Sequence, residues 1–141
     1  MIQQRKTGNR TENPSSPEST SVLISWIHYK GNDKKNGQLI SEWEKDGSLL
    51  MSLFKVIDTI QSSKLQELIS KGFISLYGKF PENRKTDFSC PPDLNMTDNW
   101  GVIKKIHQHS RVAGFFKNGY FYIVFLDREH KFYKSSRFHK C

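Results

Sequence analysis

The stretch Asn118-Gly119-Tyr120-Phe121-Tyr122-Ile123-Val124-Phe125-Leu126 decides the fold of this chain. Asn-Gly is the strongest short signal for a β-hairpin, because both residues tolerate the positive φ angles of a type I′ turn. The apolar run that follows the turn predicts a central strand that is buried on both of its faces. A hairpin also needs a strand before the turn, and Arg111 to Lys117 has a suitable composition.

The sheet is predicted to extend upstream of this hairpin. Val102 to Gln108 is strand-like, so the C-terminal part of the chain is expected to form a three-stranded antiparallel meander. The preceding segment, Lys79 to Asn99, contains three prolines and no hydrophobic period, and it therefore predicts a long loop. Loops of such length that lack secondary structure are uncommon and often have a function.

The N-terminal half predicts one strand followed by two or three helices. Val22 to Tyr29 is β-branched and aromatic, which favours a strand. Apolar residues recur at helical spacing in Gln38 to Lys45, Leu49 to Ile60 and Ser63 to Lys71, and we expect this stripe to be core. Phe73 to Tyr77 is either a short strand or a packed connector.

This order of elements predicts an α+β fold in which the helices pack on one side of a curved sheet. The 141 residues correspond to the length of one domain. Residues 1–21 are polar and nearly free of apolar side chains, so we expect them to form a disordered tail. The single domain is then predicted to extend from residue 22 to residue 141.

The composition argues against a secreted or membrane protein. The N-terminal residues lack the apolar segment of a secretion signal, and no apolar run approaches the roughly 20 residues of a membrane span. The two cysteines, Cys90 and Cys141, do not form a disulfide framework. We therefore expect a cytoplasmic protein that does not contact a membrane.

The positive charge of the chain is concentrated at its C-terminal end. The net charge is +8, and the residues from Gly101 onward carry nine Lys and Arg against two Asp and Glu. Four of the five histidines also lie there. Such a basic segment indicates a polyanionic partner, and the alternative is a solvated surface with uneven charge.

Aromatic residues alternate with these cations, which favours RNA as the polyanion. Half of the aromatic residues lie between Phe115 and Phe138. Flat rings offer stacking surfaces to unpaired bases, while Lys and Arg neutralise phosphates. Phe132, Tyr133 and Phe138 lie outside the apolar strand, so we expect them to contact the ligand. The predicted nucleic-acid-binding residues are Lys104, Lys105, His107, His109, Lys131, Lys134 and Arg137.

The segment Asp127 to Lys134 places acidic, basic and aromatic side chains at the end of a rigid strand. Cleavage of RNA by its own 2′-hydroxyl needs a base, an acid, and cations that stabilise the extra charge on the phosphate. Histidine has the pKa for acid or base work near neutral pH, which makes His130 a candidate. Tyr133 or Glu129 would be its partner, and Arg111 and Lys131 would hold the scissile phosphate. The predicted catalytic residues are therefore His130, Arg111, Tyr133 and Glu129.

No cofactor and no metal site is predicted. His107 and His109 would face the same side of a strand, and with His130, His139 or Cys141 they would offer zinc ligands. These spacings match no known zinc motif, so a histidine-rich surface that binds phosphate is the better interpretation. The sequence also lacks the common glycine-rich phosphate-binding and serine-hydrolase motifs.

The order of elements resembles that of the RelE/ParE superfamily of bacterial toxins. The closest local likeness covers Ile103 to Val112, the Asn118-Gly119 hairpin and the strand Tyr120 to Asp127. The resemblance implies a first strand, two helices and a curved antiparallel sheet, with side chains of the sheet and of the C-terminal tail cutting mRNA. In the family, an Arg that opens the strand before the final hairpin often contacts phosphate, and Arg111 lies at that position.

The C-terminal tail is similar in kind to that of the family, with His130, Tyr133, Arg137 and His139. The loop Lys79 to Asn99 is an addition relative to the family. The resemblance implies a cytoplasmic toxin of a toxin–antitoxin system. Its partners would be RNA, including mRNA bound to the ribosome, and an antitoxin protein that holds it in check.

The leading hypothesis from the sequence is therefore an RNA-binding, metal-independent endoribonuclease. A non-catalytic nucleic-acid-binding module is the first alternative, because it would need the same basic face. A ParE-like inhibitor of a protein target is the second alternative, in which the basic tail would meet an acidic surface of that protein.

Overall fold

The computed structural model describes residues 20–31 and 36–134. Along these residues, three helices stand between the first strand and four further strands. The elements are β1 (Leu23–Ser25), α1 (Ile40–Lys45), α2 (Leu49–Gln61), α3 (Leu65–Ser70), β2 (Ile74–Leu76), a 3-10 turn (Asn83–Lys85), β3 (Asn99–His107), β4 (Ser110–Lys117) and β5 (Tyr120–Asp127). None of the helices in these ranges is long and apolar enough to cross a bilayer.

The strands form one mixed sheet of five strands in the order β1-β5-β4-β3-β2. The pair β1–β5 is parallel, and the other three pairs are antiparallel. The α+β class is as predicted, but the sheet is a mixed one of five strands rather than a three-stranded antiparallel meander alone. Two short strands extend the three antiparallel strands β3, β4 and β5. Strand β1 pairs with β5, although the helices and three other strands separate them along the chain, and β2 pairs with β3. Such pairings join segments that are distant in sequence and leave no local pattern.

The N-terminal boundaries also differ from the prediction. Residues 1–19 of the predicted tail lie outside the described residues, whereas Ser21 forms a β-bridge with Lys64 and is therefore part of the fold. The first strand ends at Ser25, well before the predicted Tyr29. The reason is a turn, in which the N–H of Tyr29 donates a hydrogen bond to the carbonyl oxygen of Trp26 at 3.0 Å.

The helices cover one face of the sheet. Their buried side chains confirm most of the predicted stripe, and they pack on alternate residues of the strands such as Ile103, Val112 and Ile123. The helix residues of this core are Trp43, Leu49, Leu53, Val56, Ile60, Leu65 and Leu68. Four residues of the stripe that was predicted to be core remain exposed, because the stripe is wider than the face that the sheet covers. They are Leu39 (48%), Ile40 (40%), Phe54 (48%) and Ile69 (41%).

The other face of the sheet is covered by the segment between β2 and β3 and by the residues after β5. Phe80 and Phe88 of the former and Phe132 of the latter pack on strand residues of the second core. The strand residues of this core are Trp100, Val102, Ala113, Phe115, Val124 and Phe125. Strand β5 is thus buried on both faces, as its continuous apolar run predicted.

A β-bulge between β4 and β5 adapts the sheet to this second layer. Ala113 pairs with Phe125 and Gly114 pairs with Ile123, so β5 carries one extra residue, Val124. As a result, the consecutive residues Val124 and Phe125 both belong to the second core. At the bulge the strands approach so closely that a Cβ atom on Gly114 would collide with the carbonyl oxygen of Tyr122.

We expect Gly114→Ala to lower the free energy of unfolding by about 3 kcal/mol, since the backbone of β5 has to move. Gly47→Ala is a suitable control, because Gly47 has a positive φ of 55° but open space around it. The Gly47→Ala substitution should lower the free energy of unfolding by only about 1 kcal/mol. Urea denaturation of both variants measures the difference, and equal losses would contradict the close approach at the bulge.

Candidate nucleic-acid interface

The pairing of β4 with β5 brings the main candidate residues to one end of the sheet. Arg111 lies near the beginning of β4, and its Cα partner is Asp127, the last residue of β5. The chain then turns, with the N–H of His130 donating to the carbonyl oxygen of Asp127 at 3.4 Å. This turn returns the chain toward Arg111, so His130 and Arg111 interact electrostatically.

Asp127 holds the segment after β5 against the sheet. Its side chain has no solvent exposure and accepts hydrogen bonds from the N–H groups of Lys131 at 2.8 Å and Phe132 at 2.9 Å. Burial raises the pKa of Asp127 to about 6, although these two hydrogen bonds and the positive charge of Arg111 oppose the shift. The carboxylate is therefore ionised at neutral pH and becomes neutral in mildly acidic solution.

A second buried polar group fixes the same turn from the helix side. The side-chain oxygen of Gln38 accepts hydrogen bonds from the backbone N–H of Arg128 at 2.7 Å and from the indole N–H of Trp43 at 3.0 Å. The backbone N–H of Gln38 in turn donates to the carbonyl oxygen of Leu126 at 3.1 Å. The end of β5 is thus anchored in both layers of the protein.

Arg111 is a half-buried cation whose hydrogen bonds go to main-chain oxygens. Its guanidinium donates to the carbonyl oxygens of Ser110 at 3.0 Å and Gln108 at 3.3 Å. Within the described part of the chain, no ion pair shorter than 4.0 Å includes Arg111 or Lys104. Burial lowers the pKa of Arg111, and burial together with the charges of Arg111 and Lys105 lowers the pKa of Lys104. Positive charge is therefore in excess here.

His130 experiences the same positive potential. Burial is the main cause that lowers its pKa to about 4, and the charges of Arg111 and His109 add to the shift. A hydrogen bond to the backbone of Tyr133 acts in the opposite direction. The imidazole is therefore neutral at pH 7, and an anion bound beside it would raise its pKa again.

Two tyrosines form the aromatic wall of the site. The rings of Tyr77 and Tyr133 are stacked, with centroids 4.0 Å apart and planes at 26°. Tyr77 interacts electrostatically with Arg111, and burial raises the pKa of Tyr77 to about 12, so its hydroxyl stays protonated. Lys85 donates a hydrogen bond to the hydroxyl of Tyr133 at 3.4 Å.

We name the group Tyr77, Lys104, His109, Arg111 and His130 the Arg111 cluster. It joins Lys104 and Arg111 of the sheet and His109 of the turn between β3 and β4 to His130 of the turn after β5. Tyr133 contacts the cluster through Tyr77.

Other predicted site residues have different partners. Glu129 is exposed and forms ion pairs with Arg128 at 3.7 Å and with Lys131 at 3.4 Å. Lys134 pairs with Asp87 at 2.7 Å. Lys105 lies over the ring of Phe73, which packs on the helix-side core, and His107 is exposed at the end of β3.

The position of Phe132 after β5 differs most from the prediction. Phe132 was expected to contact a ligand, but it is completely buried in the second core. The hydrogen bonds of Asp127 explain this, because they direct Phe132 inward. Arg137, Phe138, His139 and Cys141 lie outside the described residues.

Tyr77, Lys85 and Asp127 were missed as members of the site. The sequence around Asp127 could have predicted its role. A carboxylate at the end of a long apolar run is buried with the strand and must therefore accept hydrogen bonds from buried donors. Nothing around Lys85 predicted its role, since 48 residues separate it from Tyr133.

Among the residues that the structure describes, no three His, Cys, Asp or Glu side chains are grouped so that they could hold a metal ion. No known protein family, no curated protein and no solved structure matches this chain.

Asp127→Ala should lower the free energy of unfolding by about 2–3 kcal/mol, because the buried N–H groups of Lys131 and Phe132 lose their acceptor. Asp127→Asn keeps one acceptor oxygen and should cost less. Chemical denaturation followed by tryptophan fluorescence measures both changes. An Ala variant as stable as the wild type would mean that the segment after β5 is not anchored by this carboxylate.

Asp127 and His130 should affect the pH dependence of stability in opposite directions. The folded pKa of Asp127 is raised to about 6, so its contribution to stability is lost as the pH rises from about 4 to 6. The folded pKa of His130 is lowered to about 4, so its contribution is lost as the pH falls from about 6.5 to 4.

Asp127→Asn should therefore make the free energy of unfolding rise more steeply with pH between 4 and 6, by up to about 1.4 kcal/mol per pH unit. His130→Asn should change the slope in the opposite direction. Denaturation series at several pH values measure these slopes. Parallel curves for the wild type and both variants would show that neither group titrates abnormally.

Proposed function

We propose that this protein binds single-stranded RNA at the Arg111 cluster and cleaves it without a metal ion. The observation that carries the proposal is the half-buried guanidinium of Arg111, which lies next to Lys104 and the neutral His130. It has main-chain hydrogen bonds but, within the described residues, no ion pair shorter than 4.0 Å. Burial of like charges is unfavourable, and a phosphate bound between them would offset that cost. The site therefore has the charge and the donor groups that a phosphodiester requires.

The groups around this site suffice for transfer of the phosphoryl group to the 2′-hydroxyl. In the proposed reaction, neutral His130 accepts the proton of the 2′-hydroxyl while the 2′-oxygen forms a bond to phosphorus. The bond from phosphorus to the 5′-oxygen breaks, and the hydroxyl of Tyr133 donates its proton to that leaving oxygen. Arg111 and Lys104 stabilise the additional negative charge in the transition state. The products are a 2′,3′-cyclic phosphate and a 5′-hydroxyl.

Tyr133 is a better proton donor in this scheme than Glu129. The carboxylate of Glu129 is exposed and paired with Arg128 and Lys131, whereas the ring of Tyr133 is stacked on Tyr77 of the Arg111 cluster. The bound phosphate would also raise the pKa of His130 from about 4 toward its ordinary value, since it introduces a negative charge beside the imidazole. His130 would thus become an effective base only when substrate is bound.

The proposal extends to a biological role through the resemblance to the RelE/ParE superfamily. The protein would then act in the cytoplasm as the toxin of a toxin–antitoxin system. Its substrate would be mRNA, including mRNA on the ribosome, and an antitoxin protein would restrain it.

A second candidate is a nucleic-acid-binding protein that does not cleave. The observation that favours it is the pKa of His130, which at about 4 makes the imidazole of the free protein a weak base at pH 7. This protein would use the same cations and rings to bind RNA. Its affinity would fall steeply with salt, because binding releases counterions from the phosphates.

Arg111→Ala should abolish cleavage of a fluorescent single-stranded RNA in the presence of a chelator, and His130→Ala should slow it by about 100- to 10,000-fold. His28→Asn is a matched control, because this imidazole packs on Phe115 and Tyr122, away from the Arg111 end of β4. Cleavage rates, product end groups and circular dichroism are measured for each protein. Full activity of both site variants would place the chemistry elsewhere, and RNA binding without any cleavage would favour the second candidate.

A further inference from the structure

The segment between β2 and β3, which the sequence singled out as an unusually long loop, forms a crevice next to the Arg111 cluster. Its volume is about 90 Å³, which suits a compact anion such as a phosphate group better than a whole nucleotide. The crevice is lined by Tyr77, Lys79, Phe80, Pro81, Glu82, Lys85 and Tyr133.

Lys85 is held in place at both ends. Its carbonyl oxygen accepts a hydrogen bond from the N–H of Lys134 at 2.8 Å, which ties the segment to the residues after β5. Its ammonium lies 3.4 Å from the hydroxyl oxygen of Tyr133 and 5.5 Å from the centre of that ring. The side chain therefore has less freedom to lose on binding than an ordinary surface lysine.

The charge in the crevice favours an anion. Glu82 is the acidic residue of the lining, and its carboxylate is paired with Arg84 at 3.1 Å. In residues 20–31 and 36–134, no ion pair shorter than 4.0 Å includes Lys79 or Lys85. The two ammonium groups are the donors that a phosphate oxygen accepts from.

Tyr77 connects this crevice with the proposed site of cleavage. It lines the crevice, stacks on Tyr133 and interacts electrostatically with Arg111. Tyr77 thus belongs to both places, and a strand bound at Arg111 would pass Tyr77 to reach the crevice.

We propose that this crevice binds a second backbone phosphate of the same RNA strand, on one side of the phosphate that is cut. The proposal rests on the proposed function and makes the substrate more specific: an unpaired strand with at least two phosphates in a row. The loop would then contribute affinity through Lys79 and Lys85, while the sheet and the turn supply the chemistry.

The first test measures how the affinity for a short single-stranded RNA depends on salt. Each neutralised phosphate makes the slope of log affinity against log salt concentration more negative by about 0.7 for single strands. Lys79→Met with Lys85→Met removes the contact with one phosphate, so it should flatten the slope by about 0.7. Lys55→Met with Lys64→Met is the matched control, because both lysines are exposed in the helix layer. It removes the same charge and should leave the slope unchanged.

The second test compares a dinucleoside monophosphate with the same compound carrying an additional phosphate at its 5′ or its 3′ end. For the wild type, one of the two additions should raise the affinity severalfold, and the Lys79→Met, Lys85→Met variant should lose that gain. Suppose that the wild type binds and cuts RNA, but the variant keeps both the salt dependence of its affinity and the gain in affinity from the additional phosphate. The crevice is then not a phosphate site, and the proposed function stands. If the wild type binds no RNA in dilute buffer, the proposed function fails and this inference fails with it.

Discussion

The buried carboxylate of Asp127 is the interaction on which the second layer of the protein depends. Strand β5 ends in the core, and the chain can leave it only if the backbone N–H groups of the next turn find acceptors out of water. Asp127 accepts two of them, those of Lys131 and Phe132, and so turns the chain back over the sheet. Phe132 then completes the second core, and His130 and Tyr133 come to the beginning of β4, where Arg111 lies.

The same geometry makes this end of the sheet electrostatically unfavourable in the free protein. Burial lowers the pKa values of Arg111, Lys104 and His130, and neighbouring positive charges add to the shifts of Lys104 and His130. Burial raises the pKa of Asp127. A polyanion would relieve these interactions, so the free energy that is lost in folding is recovered on binding. This is the physical link between a strained group of charges and the affinity for phosphate that we propose.

The long segment between β2 and β3 has two roles in this arrangement. Phe80 and Phe88 cover the sheet, and backbone hydrogen bonds from Asp87 to Lys131 and from Lys134 to Lys85 join it to the residues after β5. It also presents Lys85 beside Tyr133. A segment without regular structure is thereby held firmly enough to carry binding groups.

The local pattern of the sequence determined the α+β class, the hairpin at Asn118-Gly119, the double burial of β5 and most of the helical core, because periodicity and turn chemistry act between neighbours. It also indicated a basic, aromatic C-terminal part, with Arg111 and His130 among the candidates. Only the tertiary structure decided that β1 lies parallel to β5, that Phe132 points inward, and that Tyr77 and Lys85 join Tyr133. These contacts link residues far apart along the chain, and their free energy comes from packing and buried hydrogen bonds that exist only after the layers have assembled.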